Sequence, residues 1–133
     1  MEEIRVPAQD SYLDELIDKM NCLLEDTECP MKVQIQLDIA LEEMFVNIVH
    51  YAYGEEAGEV CIAFETEQNG ITITLKDEGV AFDPLSREDP DITLSAEERD
   101  IGGLGIYIVK KNMDTVSYAR EGNQNIFKMS KNW

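Results

Sequence analysis

Apolar residues along the chain recur first at intervals of two, then at helical spacing, then at two again, and each change of period marks an element. Ile4-Arg5-Val6-Pro7 predicts a short edge strand stopped by its proline. From Asp10 or Ser11, either of which suits a helix N-cap, Leu13, Leu16, Ile17, Met20, Leu23 and Leu24 hold helical spacing to about Glu28, and Cys29-Pro30 ends the run. A second helix is predicted from about Met31 to Tyr53, closed by Gly54. Val60, Ile62 and Phe64 then alternate with smaller or polar residues, as do Ile71, Ile73 and Leu75, and Asn69-Gly70 between the two runs signals a hairpin.

Residues 77–100 are polar, acidic and too long for a turn, which predicts a functional loop. Within it Asp83-Pro84 suits an N-cap followed by an N1 proline, and Ser95-Ala96-Glu97-Glu98 matches a capping box. Gly102-Gly103-Leu104-Gly105 opens a third helix through about Asp114. Two last strands, near Thr115–Arg120 and Asn125–Ser130, turn at Gly122-Asn123-Gln124. The order β-α-α-β-β-loop-α-β-β predicts a two-layer α/β sandwich, its mostly antiparallel sheet covered on one face by three helices.

At 133 residues, 44% of them hydrophobic, the chain fits one folded domain over 1–133. Twenty-eight acids against 11 bases give a charge of −17, which argues against nucleic-acid backbones and anionic membranes as primary partners. No apolar run reaches the roughly 18–20 residues of a membrane span, and the start does not resemble a signal peptide, so a cytoplasmic protein is expected. Cys22, Cys29 and Cys61 follow no metal spacing and are expected to be reduced. The acid is not spread evenly. Residues 77–100 hold nine acids and two bases, whereas residues 101–133 hold two acids and five bases.

Three stretches carry candidate chemistry. The second helix is apolar almost all round between Ala40 and Tyr53, so its polar residues need a reason. Asn47 lies one turn after Glu43 on the same side, while Glu42 points about 100° away. A carboxylate and an amide so placed present hard oxygens to Mg²⁺ and an acceptor to a hydroxyl, although a buried pair that satisfies itself accounts for the same residues. His50 falls on the same side and a structural role suffices for it. Asp77-Glu78-Gly79 ends a strand, where a carboxylate beside a glycine suits an amino group on a flat ring and also an ordinary turn. Gly102–Gly105 exposes backbone N–H groups at a helix start, as a phosphate site requires, without the spacing of a P-loop or a Rossmann fingerprint.

Taken in order, these stretches resemble the GHKL ATPase superfamily, and in detail its bacterial anti-sigma factors with serine/threonine kinase activity. The resemblance lies in Glu42-Glu43-Met44-Phe45-Val46-Asn47-Ile48-Val49-His50-Tyr51-Ala52-Tyr53, in Asp77-Glu78-Gly79-Val80-Ala81-Phe82-Asp83-Pro84 and in Gly103-Leu104-Gly105-Ile106-Tyr107-Ile108-Val109. It implies a Bergerat-type fold that binds ATP with Mg²⁺. Asn47 would hold the metal, Glu43 would activate the attacking hydroxyl, Asp77 and Gly79 would bind adenine, and Gly102, Gly103, Leu104 and Gly105 would border the phosphates. Residues of about 83–101 would form a lid. It further implies a homodimer that phosphorylates an anti-anti-sigma protein of the STAS type and sequesters a sigma factor. A non-catalytic, ATP-dependent binding switch is the alternative. The superfamily box continues Asp-x-Gly-x-Gly, and here its last glycine is Ala81, where a methyl could narrow the adenine pocket or stiffen the lid hinge. Arg87 and Arg99 are the cations expected to reach the phosphates from the loop.

Overall fold

The computed structural model describes residues 1–54, 57–86 and 103–133. Strand β1 (Glu2–Pro7) is followed by a 3₁₀ turn at Asp10–Tyr12 and helix α1 (Leu13–Leu24). Helix α2 (Met31–Asn47) continues into a π-helical segment, Ile48–Tyr53, and β2 (Glu59–Glu67) and β3 (Gly70–Asp77) follow. After a 3₁₀ turn at Pro84–Ser86 come α3 (Gly103–Asn112), β4 (Thr115–Glu121) and β5 (Gln124–Asn132). The strands form one sheet in the order β1-β2-β3-β5-β4 with every neighbouring pair antiparallel. The hairpin β4–β5 therefore folds back so that its second strand meets β3, and β1 and β4 are the edges.

Alternation in the strands sends Val60, Ile62 and Phe64 of β2, Ile71, Ile73 and Leu75 of β3, and Phe127 and Met129 of β5 to one buried face. Against it pack Leu16, Met20 and Leu24 of α1, Leu37, Leu41, Met44 and Phe45 of α2, and Ile106 and Val109 of α3. Each such side chain contributes about 1.5–3 kcal/mol by leaving water, and this shared core fixes the helices over the sheet.

The structure differs from the sequence expectation at four places. Helix α1 stops at Leu24, because the Thr27 hydroxyl donates to the Leu24 carbonyl (2.7 Å) and the chain then turns toward Pro30. Neither Asp10 nor Ser11 caps a helix: no side-chain cap bond forms at either start, and the Asp10 carboxylate instead meets His50 Nε2 at 3.0 Å. The β2–β3 turn is Gln68-Asn69, and Gly70 is already the first residue of β3, paired with Glu67. A Cβ there would meet the end of the Asn132 side chain. The last six residues of the second predicted helix wind as π-helix, with Gly54 N–H donating to Val49 C=O at 3.1 Å. By contrast, the β4–β5 turn has Gly122 at φ +60° as its first central residue, the position that a two-residue hairpin of primed type gives to glycine.

Cys22, Cys29 and Cys61 are free thiols. No helix among the described residues is long and apolar enough to cross a membrane. Of the lid expected at 83–101, residues 87–101 lie outside the described residues, and with them Arg87, Arg99 and the capping box Ser95–Glu98.

The π-segment is closed by Gly54, whose φ of +60° and ψ of −117° suit only glycine. Gly54→Ala is expected to lower the free energy of unfolding by about 1–3 kcal/mol, as measured by urea titration followed by circular dichroism.

Candidate functional site

Three elements converge where α2 crosses the end of β3. Asn47 is buried at the last turn of α2, and its Nδ2 donates to the Glu43 backbone carbonyl one turn back at 2.6 Å. This back-bond is how the helix accommodates the amide N–H. The partner is therefore the carbonyl of Glu43 and not its carboxylate. Among the described residues neither Asn47 Oδ1 nor the Glu43 carboxylate has a hydrogen-bond partner, so both oxygens remain available.

Glu42 is exposed, as its position on the helix predicts, while Glu43 is half-buried against α3. A Cβ on Gly105 would overlap Glu43 Oε2 and lie 2.7 Å from its Cδ. The glycine thus gives the carboxylate its place at the first turn of α3. Burial, and then the neighbouring charge of Glu42, push the Glu43 carboxyl above the usual range. Gly103 is the first residue of α3 and Leu104 the second, and Gly102 lies outside the described residues.

Asp77 continues the inward stripe Ile71-Ile73-Leu75 to the end of β3 and is 3% exposed. Its Oδ1 accepts from Gly79 N–H and from Asn125 Nδ2, both at 2.9 Å, and no described residue bonds Oδ2. Loss of water raises the Asp77 carboxyl above its ordinary range, against the opposing pull of Asn125, the Gly79 N–H and the Arg120 charge. Gly79 sits on the end of the π-segment. A Cβ there would lie 2.6 Å from the Ala52 carbonyl carbon and 2.8 Å from its Cβ, and the Ala52 oxygen accepts from Val80 N–H at 2.9 Å. Tyr53 braces the same loop, its hydroxyl donating to Glu59 C=O (2.7 Å) and accepting from Glu78 N–H (2.8 Å). The widened helix end therefore directs an otherwise orphaned carbonyl and a tyrosine at the box that follows β3.

Sequence reasoning missed the parts played by Asn125, Tyr118 and Arg120 and the stacking of Phe82 on Tyr51. Asn125 is 4% exposed and directly opposite Asp77 in the β3–β5 register. Its Nδ2 also donates to Val80 C=O at 2.8 Å, and its Oδ1 accepts from Tyr118 OH at 2.5 Å and from Phe82 N–H at 3.3 Å. Arg120, opposite Asn125 on β4, donates from Nη1 to Gly79 C=O at 2.9 Å. Phe82 stacks on Tyr51 with ring centroids 5.3 Å apart. The available signal was alternation: Phe127 and Met129 place Asn125 inward, as Val116 and Tyr118 place Arg120. Asp83-Pro84 behaves as expected, Asp83 Oδ1 accepting from Leu85 N–H at 2.9 Å.

Asn47, Asp77 and Asn125 line one small cavity with Met44, Ile48, Phe82, Pro84 and Phe127. Its volume is about 10 Å³, room for one water. A flat ring enters only if Phe82 and Pro84 move outward. Ala81 is exposed and outside the lining. A larger hollow of about 330 Å³ lies on the outward face of the sheet beside Arg5, Cys61 and Lys76, away from Glu43 and Asn47. The donor set fits adenine, because an apolar slot ends at a carboxylate with one free oxygen. It also fits Mg²⁺ held by Asn47 Oδ1, a hard neutral oxygen. No group of three or more His, Cys, Asp or Glu among the described residues could hold a metal, so such an ion would take most of its ligands from phosphate and water.

Residues 6–131 match the family of histidine kinase-like ATPase domains. The serine-protein kinase RsbW of Bacillus cereus is 30% identical over 125 residues, covering 86% of this chain and 74% of that protein. RsbW of Bacillus anthracis matches with the same identity and coverage. Among solved structures, the catalytic domain of the histidine kinase ThkA superposes with a TM-score of 0.57 at 18% identity, covering 99% of this chain and 98% of that one. The chain belongs to the histidine kinase-like ATPase family, in the branch that holds the RsbW serine-protein kinases.

The folded Asp77 carboxyl binds its proton more tightly than the unfolded one. Its contribution to stability is thus complete below the ordinary aspartate pKa of about 3.9 and is lost as pH rises through the folded value. Asp77→Asn, which preserves shape and the two bonds accepted at Oδ1, is expected to match or exceed the native chain in thermal stability at pH 7. The difference should vanish toward pH 3 in a pH series of thermal melts.

Proposed function

We propose that the chain is an ATP-dependent serine/threonine protein kinase that phosphorylates an anti-anti-sigma protein of the STAS type and sequesters a sigma factor as a homodimer. One observation carries this reading: Asn47 and Asp77 line one cavity at the end of α2, and Glu43 lies one turn before Asn47 against Gly105, its carboxylate and the Asn47 Oδ1 both unpaired among the described residues. RsbW, a serine-protein kinase, is the relative that supports the choice of acceptor residue.

In this reading Asp77 Oδ2 accepts from the adenine amino group, while Asn125 and the Gly79 N–H hold the other oxygen and so fix the carboxylate plane. Phe82 and Pro84 cover the ring. The phosphates extend toward the first turn of α3, where Gly103 and Gly105 let backbone N–H groups approach them. Mg²⁺, when bound through Asn47, offsets phosphate charge. That is needed in a chain of charge −17 with neither Lys nor Arg in 102–105.

Glu43 then takes the proton of the acceptor hydroxyl. The hydroxyl oxygen forms its bond to the γ-phosphorus, and the bond from that phosphorus to the β,γ-bridging oxygen breaks, its electron pair leaving with ADP. A carboxylate raised above its usual range by burial is a better proton acceptor than an exposed one. Gly105 keeps it at the phosphate end of the site.

Phosphoryl transfer from labelled Mg-ATP to a purified STAS-domain protein tests the reading. Glu43→Gln is expected to lower transfer by at least about 100-fold, the lower end of what a positioned base supplies, with Mg-ATP affinity within about threefold of native by calorimetry. Asn47→Ala should lose both affinity and transfer. Tight binding of Mg-ATP without transfer to any STAS-domain protein would select the binding switch instead. Chelation of Mg²⁺ should weaken ATP binding at least about tenfold, and equal affinity with and without the metal would contradict the role of Asn47.

A further inference from the structure

We propose that the outer face of α2 is the ridge on which the phosphorylated protein docks, and that this partner meets it with an apolar knob surrounded by basic side chains. The inference rests on the kinase reading above and specifies which surface brings the acceptor to Glu43.

Met31, Ile35 and Ile39 recur every four residues on α2 and lie within about 80° of one another around its axis. Met31 is 69% exposed and Ile35 52%, while Ile39 is half-buried. The core-facing residues Leu37, Leu41 and Met44 lie on the opposite side. Both flanks of α2 are taken within the fold. α1 packs along one, and on the other Glu43 meets Gly105 of α3. Met31 and Ile35 are thus left to solvent, two of the five large hydrophobic residues exposed among the described residues.

Its place decides the occupant. Ile39 is one turn before Glu43, about 6 Å along the axis, and Ile35 is about 12 Å away. A protein that delivers a hydroxyl to Glu43 must cover surface within that reach, whereas one that is only sequestered need not. Charge decides the partner's surroundings. Glu25, Asp26 and Glu28, all exposed, stand in the turn just before Met31, and exposed Glu42 stands at the far end, with Lys32 the one base between them. Apolar contact on the ridge provides affinity, and the acidic frame selects a basic rim and speeds encounter.

The test titrates the purified STAS-domain protein phosphorylated by the native chain, at saturating Mg-ATP. Ile35→Glu and Met31→Glu are each expected to raise KM for that protein about tenfold, the scale of one interface anchor. Both should keep kcat within about twofold and Mg-ATP affinity unchanged, and Ile35→Leu should restore the native KM. Glu25→Lys with Glu28→Lys should raise KM about threefold and flatten its salt dependence. Native KM in both ridge variants, with transfer intact, would overturn the docking ridge and leave the kinase reading standing. Failure of the native chain to phosphorylate any STAS-domain protein while binding Mg-ATP would overturn both.

Discussion

The carboxylate of Asp77 is buried at the end of a strand whose other inward residues are isoleucine and leucine. An unpartnered charge there would cost several kcal/mol, and the fold around it is what makes the position tolerable. Asn125 must come from β5 in direct register, so β5 must lie beside β3. Arg120 must come from β4 on the far side of β5, so the hairpin must fold in this direction and no other. Asp77, Asn125 and Arg120 form one polar row across three strands. The residual upward shift of the Asp77 carboxyl shows that its partners offset burial only in part, which is compatible with an oxygen kept free for a ligand.

The same row ties the sheet to α2. Arg120 holds the Gly79 carbonyl, and Asn125 holds Val80 and Phe82. From the other side the Ala52 carbonyl and the Tyr53 hydroxyl hold Val80 and Glu78. The loop after β3 is thus clamped between a strand row and the π-helical end of α2, so a displacement at either reaches the cavity. The two ends of the site are built differently. At the Asp77 end the polar atoms are nearly all paired. The end near α3 keeps the Glu43 carboxylate and Asn47 Oδ1 unpaired among the described residues.

Charge distribution acquires a physical meaning once these contacts are known. A chain of −17 is a poor host for a polyanion, yet the basic C-terminal quarter contributes Arg120 to the box and Lys110 and Lys111 to the last turn of α3. Arg120 acts on the protein's own loop, so it organises the site without being consumed by the ligand. The acidity elsewhere includes α1, the turn before α2 and residues 77–100.

Element order and type were legible in the sequence, because period-two and period-3.6 patterns arise from local geometry that each segment carries by itself. So was the choice of Glu43 over Glu42, since 100° per residue places only one of them beside Asn47. Local rules failed where a longer-range contact competed. Asn69-Gly70 signals a hairpin, and Gly70 belongs to β3, beside Asn132. Asp10 suits a helix cap by its type and instead pairs with His50, forty residues on. Asn125 and Arg120 could be placed on the inward face by alternation, but their service to Asp77 depends on β5 pairing with β3, and a strand's own residues do not name its neighbour. The sequence by itself determined which residues face inward and which stretches carry chemistry. Only the tertiary structure decided which of them meet, because hydrogen bonds between distant strands and the contact between Gly105 and Glu43 are set by the packing of the whole core.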